Sequence, residues 1–307
     1  MSRASLCVRS VLASVVLLMG TAALAQPSRM HLRVVTWNVD YRNQGVVSPS
    51  DRIRDLIDYG SRSGLHLMAL QEVPRSLMRD AVQWNLIEAD AAGHGYGVVY
   101  IQEEYPTNGP SPASTTSTGY VYVYDPRVLN PVTVNNQNVS IIFSQPNFFP
   151  QGLAQARPPA SMVFNVNRGN GSTFRLNVLN WHNEAGGMAR PQLLHLNTLL
   201  LVLEAQRVNP SAVHPSHRDS VRNPNNLAED WLLMGDFNVE DSIREMQSID
   251  RTFHLLTHGD HGIDHIVAPS PLADVNGAPP PPPAVNPIDP RFRSVDRHLA
   301  LFADVLY

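Results

Sequence analysis

Asp236 and Asn238 are the two side chains whose type and spacing most clearly indicate chemistry. They end the octet Trp231-Leu-Leu-Met-Gly-Asp-Phe-Asn238, in which four apolar residues precede Gly235. The apolar run predicts a short buried strand that turns at Gly235, and residues two apart in an extended segment point the same way. A carboxylate beside an amide at the mouth of a sheet suits a water or phosphate oxygen near a hard cation. An ordinary strand followed by an Asx turn is the alternative interpretation.

Three more polar residues fall at the ends of predicted strands. Residues 32–39 alternate and are rich in β-branched side chains, which predicts a strand ending at Asn38. Residues 65–70 predict a second buried strand, with Glu72 just after its end. His182 follows a later strand in the same way. Each residue alone is more simply explained as a turn or solvated strand-end residue, so only their combination indicates a site.

The other predicted elements form an α/β pattern without internal repeats. Ser48 precedes a predicted helix with apolar residues at helical spacing, and Pro191 starts a long leucine-rich helix. The two final strands carry Asp264 and His298. The remaining expectations are a helix over 51–61, a helix over 192–206, strands over 119–124, 139–143, 161–166, 173–179, 262–267 and 298–305, and a polyproline loop over 278–283.

The first 25 residues have the pattern of a cleaved signal peptide. Arg3 and Arg9 give a positive start, an apolar run follows, and small residues form a cleavage site. The run is too short to span a bilayer, so the mature chain is expected to be secreted or periplasmic, with no integral membrane segment. The only cysteine, Cys7, lies in this segment, which excludes a disulfide or thiol nucleophile from the mature chain.

Composition further limits the function. The chain has 307 residues, 43% of them apolar, which is enough for a single domain over residues 26–307. Its net charge is −4, so any phosphate site must be local and metal-assisted rather than a broad basic surface. All 23 basic residues are arginine, which excludes lysine-based chemistry. A coding bias explains this most simply; the alternative is a chain without ubiquitin acceptors that acts inside another cell.

The order of the strand-end motifs resembles the endonuclease/exonuclease/phosphatase superfamily, typified by deoxyribonuclease I. The resemblance covers the chain from about residue 31 to its end. It implies an α/β (α+β) fold, a four-layered α/β/β/α sandwich of two packed mixed sheets with helices outside. It also implies a metal-dependent phosphoesterase. The motifs that carry it are Thr36-Trp-Asn38, Gln71-Glu72, His182, Gly235-Asp-Phe-Asn238, Ile263-Asp264 and the His298 strand.

Within the superfamily, the sequence is most similar to the cytolethal distending toxin B subunit. The similar segments are Thr116-Ser117, Arg157-Pro158 and Gly186-Gly187. This likeness implies a secreted endonuclease that nicks DNA inside a host cell, together with toxin partner subunits. A phosphoinositide phosphatase or sphingomyelinase-like phosphoesterase is the second hypothesis, favoured by the negative charge. A non-catalytic exported binding subunit is the third.

The resemblance also implies a metal site and a phosphate clamp. Glu72 would hold Mg²⁺ with help from Asn38, Mn²⁺ and Ca²⁺ being alternatives, and Arg157 would bind a phosphate oxygen. The family places an acid directly before its last histidine, but Arg297 stands there and Asp296 lies one residue earlier. Either a bulge returns Asp296 to the metal, or Arg297 binds phosphate while metal affinity falls.

The acid–base roles follow from the same resemblance. Asp236 and Asn238 would orient the attacking water and the scissile phosphate. His182 and His298 would flank the phosphorus, and Asp264 would fix the tautomer of His298 and raise its basicity.

A histidine cluster offers a different metal hypothesis. His254 and His258 are spaced i, i+4, so the segment could hold zinc if it were helical, whereas nearby glycines favour a loop. The other members of the cluster are Asp260, His261 and His265.

Overall fold

Two β-sheets with helices on their outer faces form the framework of the protein, as seen in a computed structural model. The structure describes residues 31–39, 47–102, 118–134, 137–138, 140–142, 159–168, 171–183, 186–208, 230–240, 244, 246–247, 249, 253–256, 263–269, 298 and 300–306. The residues from His31 onward belong to one compact unit. The predicted signal peptide over residues 1–25 and the predicted polyproline loop over residues 278–283 lie outside the described residues.

The strands and helices are numbered in chain order. The strands are β1 (His31–Asn38), β2 (Leu67–Pro74), β3 (Gly97–Gln102), β4 (Thr118–Tyr124), β5 (Leu129–Pro131), β6 (Thr133–Val134), β7 (Gln137–Asn138), β8 (Ser140–Ile142), β9 (Ala160–Asn167), β10 (Thr173–His182), β11 (Asp230–Asp236), β12 (His254–Leu256), β13 (Asp264–Ala268) and β14 (Leu301–Leu306). The α-helices are α1 (Pro49–Ser63), α2 (Arg75–Arg79), α3 (Ala81–Gly93) and α4 (Ala189–Val208). A short 3-10 helix spans Gly186–Met188.

Both sheets are mixed. The first has the order β14-β1-β2-β4-β3, with β1 and β2 parallel and the other pairs antiparallel. The second has the order β12-β13-β11-β10-β9-β5, with β8 also paired to β9 and only β10 and β11 parallel. The two central parallel pairs end at Asn38, Gln71, His182 and Asp236, because the register pairs Asn38 with Gln71 and His182 with Asp236.

Apolar side chains fix the four layers. Trp37 and Leu70 point away from the second sheet and pack with Ile53 and Leu56 of α1 and Ile87 of α3. On the opposite side of the molecule, Trp181, Trp231 and Leu233 pack with Leu193, Leu196 and Leu200 of α4. The predicted α/β/β/α sandwich is therefore confirmed. Among the described helices, none is both long and apolar enough to cross a bilayer.

Local signals determine where the first helix begins and ends. The Ser48 side chain accepts a hydrogen bond from the Asp51 amide, Pro49 occupies the first turn, and Gly64 ends the helix with φ of 70°. The prediction from Ser48 is confirmed. By contrast, α3 was not predicted, although Asp80 caps it by accepting from the amides of Val82 and Gln83.

Several predicted boundaries are wrong. The last strand begins at Leu301 rather than at 298, so His298 precedes it. The long helix starts at Ala189, two residues before Pro191, which is tolerated because the first-turn amides need no helical partner. His254 lies in β12, so the i, i+4 helical arrangement proposed for zinc is absent at that residue.

Gly235 has a different role from the predicted turn. It lies inside β11 with φ of 152°, directly opposite Trp181 of the parallel strand β10. A Cβ at this position would stand 1.8 Å from the Trp181 carbonyl oxygen. Close approach of two backbones therefore requires glycine immediately before Asp236.

We expect Gly235→Ala to lower the free energy of unfolding by about 3 kcal/mol, because the added methyl meets backbone that cannot rotate away. Urea denaturation of the purified variant measures the change. Gly93→Ala is the control, since a Cβ there meets nothing within 4 Å. Equal stability of the two variants would contradict the close-approach explanation.

Candidate active site

Seven of the ten site residues predicted from sequence lie together at the edge where both central strand pairs end. They come from both sheets and form one connected group of contacts. The seven are Asn38, Glu72, His182, Asp236, Asn238, Asp264 and His298. The other three, Arg157, Asp296 and Arg297, lie outside the described residues, so their roles stay predictions.

His182 stands between two carboxylates. Its Nε2 atom lies 3.4 Å from Glu72 Oε1 and 3.7 Å from Asp236 Oδ2. All three residues are less than 10% exposed. Glu72 belongs to the first sheet, and the other two belong to the second, so this contact spans the junction of the sheets.

Asp236 is held by hydrogen bonds to both of its oxygens. Asn38 donates from Nδ2 to Oδ2 at 2.9 Å, and the Asn238 amide donates to Oδ1 at 2.9 Å. The second bond is an Asx turn, and Asn238 has φ of 51°. The predicted extended geometry between Asp236 and Asn238 is therefore wrong. Asn238 instead folds back and donates from Nδ2 to the Asn183 carbonyl at 2.7 Å.

His298 is oriented by Asp264. Its Nδ1 atom lies 3.1 Å from Asp264 Oδ2 and 3.7 Å from Asp236 Oδ2. Burial alone lowers the pKa of His298, but the hydrogen bond and charge of Asp264, with the charges of Asp236 and Glu72, outweigh burial and raise it to about 9. A protonated ring at neutral pH can donate from its other nitrogen to an oxygen of a substrate.

The pKa of Asp236 is also raised, but here burial is the main cause. Burial raises its pKa, the neighbouring Asp264 charge raises it further, and His298 and the hydrogen bond from Asn38 oppose them, for a result of about 7. A carboxyl group that titrates near neutrality can accept a proton from water during a reaction.

A β-bulge directs Glu72 toward the site. Leu70 and Val73 both pack against the helices although they are three residues apart, so β2 contains one extra residue between them. Within this bulge, Glu72 has a φ of 54°. This left-handed backbone conformation is energetically unfavourable for any residue that has a Cβ atom. Regular alternation would have turned Glu72 toward the helices with Leu70. The bulge instead brings it to His182.

We expect Glu72→Gly to be more stable than Glu72→Ala by about 1 kcal/mol, because only alanine keeps the Cβ strain at positive φ. Both variants lose the carboxylate, so the comparison isolates the backbone. Thermal and urea unfolding measure the difference. In a regular strand alanine would be the more stable residue, and that order would contradict the bulge geometry.

The buried carboxylates of the site fit a hard divalent cation, which prefers oxygen ligands. One ligand atom each from Asp236, Asp264 and His298 lies within 4.8 Å of the others. Asp264 Oδ1 is buried and has no hydrogen-bond partner among the described residues. An unpartnered buried carboxylate oxygen is costly unless a cation or water binds it. The predicted ligand Glu72 is not in this group of three, and it approaches the group through His182.

His265 is the one member of the proposed zinc cluster whose side chain belongs to the described part of the structure. His265 is buried and its Nε2 atom lies 2.8 Å from the Val239 carbonyl. His265 also packs edge-on against Phe237. It therefore supports the turn after Asp236. Three members of the proposed zinc cluster, His258, Asp260 and His261, lie outside the described residues.

Sequence reasoning missed Asn183. Its side-chain amide donates to the carbonyls of Phe237 and Ala189, and its backbone amide donates to the Asp236 carbonyl. Asn183 thus joins the end of β10 to the turn that follows β11. The available sequence signal was that an asparagine directly follows the strand-end residue His182.

Solved structures with low sequence identity share this fold. An endonuclease/exonuclease/phosphatase family protein from Bacteroides thetaiotaomicron is 11% identical with a TM-score of 0.55, over 91% of this chain and 98% of that one. The human Nocturnin catalytic domain with bound sulfate is 16% identical with a TM-score of 0.53, over 90% and 95%. D. rerio TDP2 complexed with a single-strand DNA product is 12% identical with a TM-score of 0.50, over 89% and 98%. The sequence matches no protein-family model and no curated protein.

These likenesses bear on the fold alone. The resemblance predicted from the strand-end motifs is confirmed at that level, while the narrower likeness to the cytolethal distending toxin B subunit stays a prediction. The protein has the four-layered sandwich fold seen in endonuclease/exonuclease/phosphatase proteins.

Proposed function

We propose that the protein is a magnesium-dependent phosphodiesterase that nicks DNA. One observation carries the proposal: two histidines and three carboxylates, all largely buried, meet where the two sheets end. Hydrolysis of a phosphodiester needs positive charge near the phosphate, an aligned water and proton transfer near neutral pH. This group contains candidates for each task.

The positions of Asp236 and His298 on either side of the site, and their raised pKa values, support the following assignment of proton transfers. Asp236 takes a proton from the attacking water as the water oxygen bonds to phosphorus. His298, protonated at neutral pH, gives its proton to the oxygen that leaves as the other phosphorus–oxygen bond breaks. Asp264 holds the imidazolium in place. His182 donates a hydrogen bond to the phosphate between them.

Glu72 and Asp264 would hold the cation, Asp264 through the Oδ1 atom that has no hydrogen-bond partner among the described residues. Mg²⁺ prefers oxygen ligands, and carboxylates are its usual protein partners. When bound, the ion supplies positive charge opposite the phosphate oxygens as negative charge develops. Asn38 keeps the Asp236 carboxylate oriented through its hydrogen bond.

DNA is the proposed substrate, and a structure of the same fold was solved with a single-strand DNA product. The proposal includes export through the predicted signal peptide and a genotoxin-type role with partner subunits. The alternative substrate is a phosphoinositide or sphingomyelin, which the net charge of −4 favours because it weakens attraction to a DNA polyanion. A binding subunit without activity is the third candidate.

Plasmid relaxation tests the proposal. The mature protein with Mg²⁺ should convert supercoiled plasmid to the nicked form, and Asp236→Ala and EDTA should each abolish nicking. Salt-sensitive DNA binding would accompany it. If the folded protein leaves the plasmid intact but hydrolyses phosphoinositide or sphingomyelin, the substrate is a lipid phosphoester rather than DNA. If none of the three substrates is hydrolysed, the proposed phosphoesterase activity is excluded.

A further inference from the structure

Two side-chain amides lie behind the site, in the interior between the sheets. Gln71 and Asn180 are both fully buried. Gln71 donates from Nε2 to Asn180 Oδ1 at 2.5 Å, and Asn180 donates from Nδ2 to the Leu70 carbonyl at 3.1 Å. The two bonds run in opposite directions across the gap, so strands β2 and β10 are joined twice at one point.

Gln71 also contacts polar atoms of its own sheet, which share the second hydrogen of its side-chain amide. Its Nε2 atom also lies 3.0 Å from Thr36 Oγ1 and 3.0 Å from the Ala69 carbonyl. The Gln71 carbonyl accepts from the Val39 amide just beyond β1. Gln71 is therefore a fixed point in the first sheet.

This fixed point stands beside the residues that must meet. Gln71 directly precedes Glu72, and Asn180 lies two residues before His182 on the same face of β10. Glu72 and His182 belong to different sheets, so no backbone ladder sets the distance between them. Glu72 also occupies the bulge, where the ladder to β4 is interrupted.

Apolar packing between sheets is non-directional, so it does not by itself fix how one sheet slides over the other. Hydrogen bonds have direction, and two buried bonds at one crossing restrict sliding there. We propose that Gln71 and Asn180 are positioning residues that set the distance between Glu72 and His182. This inference rests on the proposed function, for which that distance determines where cation and phosphate meet.

The structure offers a matched control. Tyr122 on β4 also joins the sheets, through its hydroxyl to the carbonyls of Ala160 at 3.0 Å and Val178 at 3.2 Å. Tyr122→Phe removes a buried cross-sheet bond to the same strand β10, but two residues further from His182. Both Tyr122→Phe and Asn180→Leu should therefore lose stability, and only Asn180→Leu should displace the site.

We expect Asn180→Leu to lower kcat about 10- to 100-fold with KM nearly unchanged, since displacement of about 1 Å has costs of this size. Tyr122→Phe should keep kcat within about twofold even though its melting temperature falls. Gln71→Met, which removes the donor to Asn180 but leaves the Leu70 bond, carries the same expectation and replaces Asn180→Leu if that variant does not fold. Equal kcat in the amide variants and Tyr122→Phe would overturn the inference.

A measurement without turnover separates this inference from the proposed function. In the parent protein, Glu72→Gln should change the NMR chemical shifts of the His182 ring, because the two side chains are in contact. In the Asn180→Leu background, Glu72→Gln should change the His182 shifts by less than half of the change seen in the parent. In the Tyr122→Phe background, the change should be as large as in the parent. An undiminished change in both backgrounds would overturn the positioning role. A parent that shows this pattern without hydrolysing phosphoesters would contradict only the proposed function.

Discussion

His182→Gln should lower the rate of the proposed phosphodiester hydrolysis by about 10²–10³, the usual cost of losing one positioned hydrogen-bond donor to the transition state. The imidazole lies against both Glu72 and Asp236. Glutamine is similar in size, but its donor sits on a flexible amide that does not reproduce the position of the ring nitrogen. Initial rates of plasmid nicking and of a chromogenic phosphodiester measure the loss.

His94→Gln is the matched control. His94 follows α3 and precedes β3, whose first residue pairs with Tyr124 at the end of β4 opposite the site. Its substitution should leave the rate within about twofold, as for most surface changes away from special features. A rate for His182→Gln equal to that of the control would remove His182 from the mechanism.

Asp264→Asn should have the second large effect, because it removes the main cause of the raised pKa of His298. The pKa of that ring, about 9 in the parent, should fall, and the fraction of protonated ring at neutral pH should fall with it. The hydrolysis rate should then drop by about 10²–10⁴ as the proton donor is lost. Titration of the His298 ring by NMR in EDTA measures the pKa directly.

The stability of the metal-free protein should change with pH in a defined direction. His298 has a folded-state pKa above its ordinary value of 6.5, so the folded chain binds the proton more tightly than the unfolded chain does. The resulting stabilisation is complete below about pH 6.5 and is lost as the pH rises through about 9. Asp264→Asn should therefore be less stable than the parent mainly at the acidic end of this window.

Asp304→Asn is the control for this experiment. Asp304 pairs with Arg33 near the start of β1, at the end of that strand opposite Asn38. It should leave the pKa of His298 unchanged. If Asp264→Asn also left that pKa near 9, the geometry of the Asp264–His298 pair would be wrong.

Much of the site could be predicted because local sequence determines where strands end. The apolar runs before Asn38, His182 and Asp236 predict strands correctly, and the polar residues that follow each run mark one edge. Parallel pairing of β1 with β2 and of β10 with β11 brings those ends together. Asp264 begins β13 and His298 precedes β14. These strands run antiparallel to β11 and β1, so their N-terminal ends lie at the edge where β11 and β1 end.

The conformation of individual site residues could not be predicted in the same way. Alternation places Glu72 on the helix side of β2, and only the bulge turns it toward His182. The Asx turn at Asn238 replaces an extended segment, since the local bond to Asp236 competes with continuation of the strand. Nothing in the residue order distinguishes these outcomes, because both depend on what packs against the strand.

The sequence by itself determined the four central strands β1, β2, β10 and β11, the first helix, and the seven polar residues that meet where those strands end, whereas β3 and β12 were not predicted. Its local signals, apolar periodicity and capping, act over a few residues. The tertiary structure decided the contacts between sheets: the Gln71–Asn180 pair, the need for glycine at Gly235 opposite Trp181, and the unpartnered oxygen of Asp264. These join residues that are distant in the chain, and their distances depend on how two complete sheets pack together.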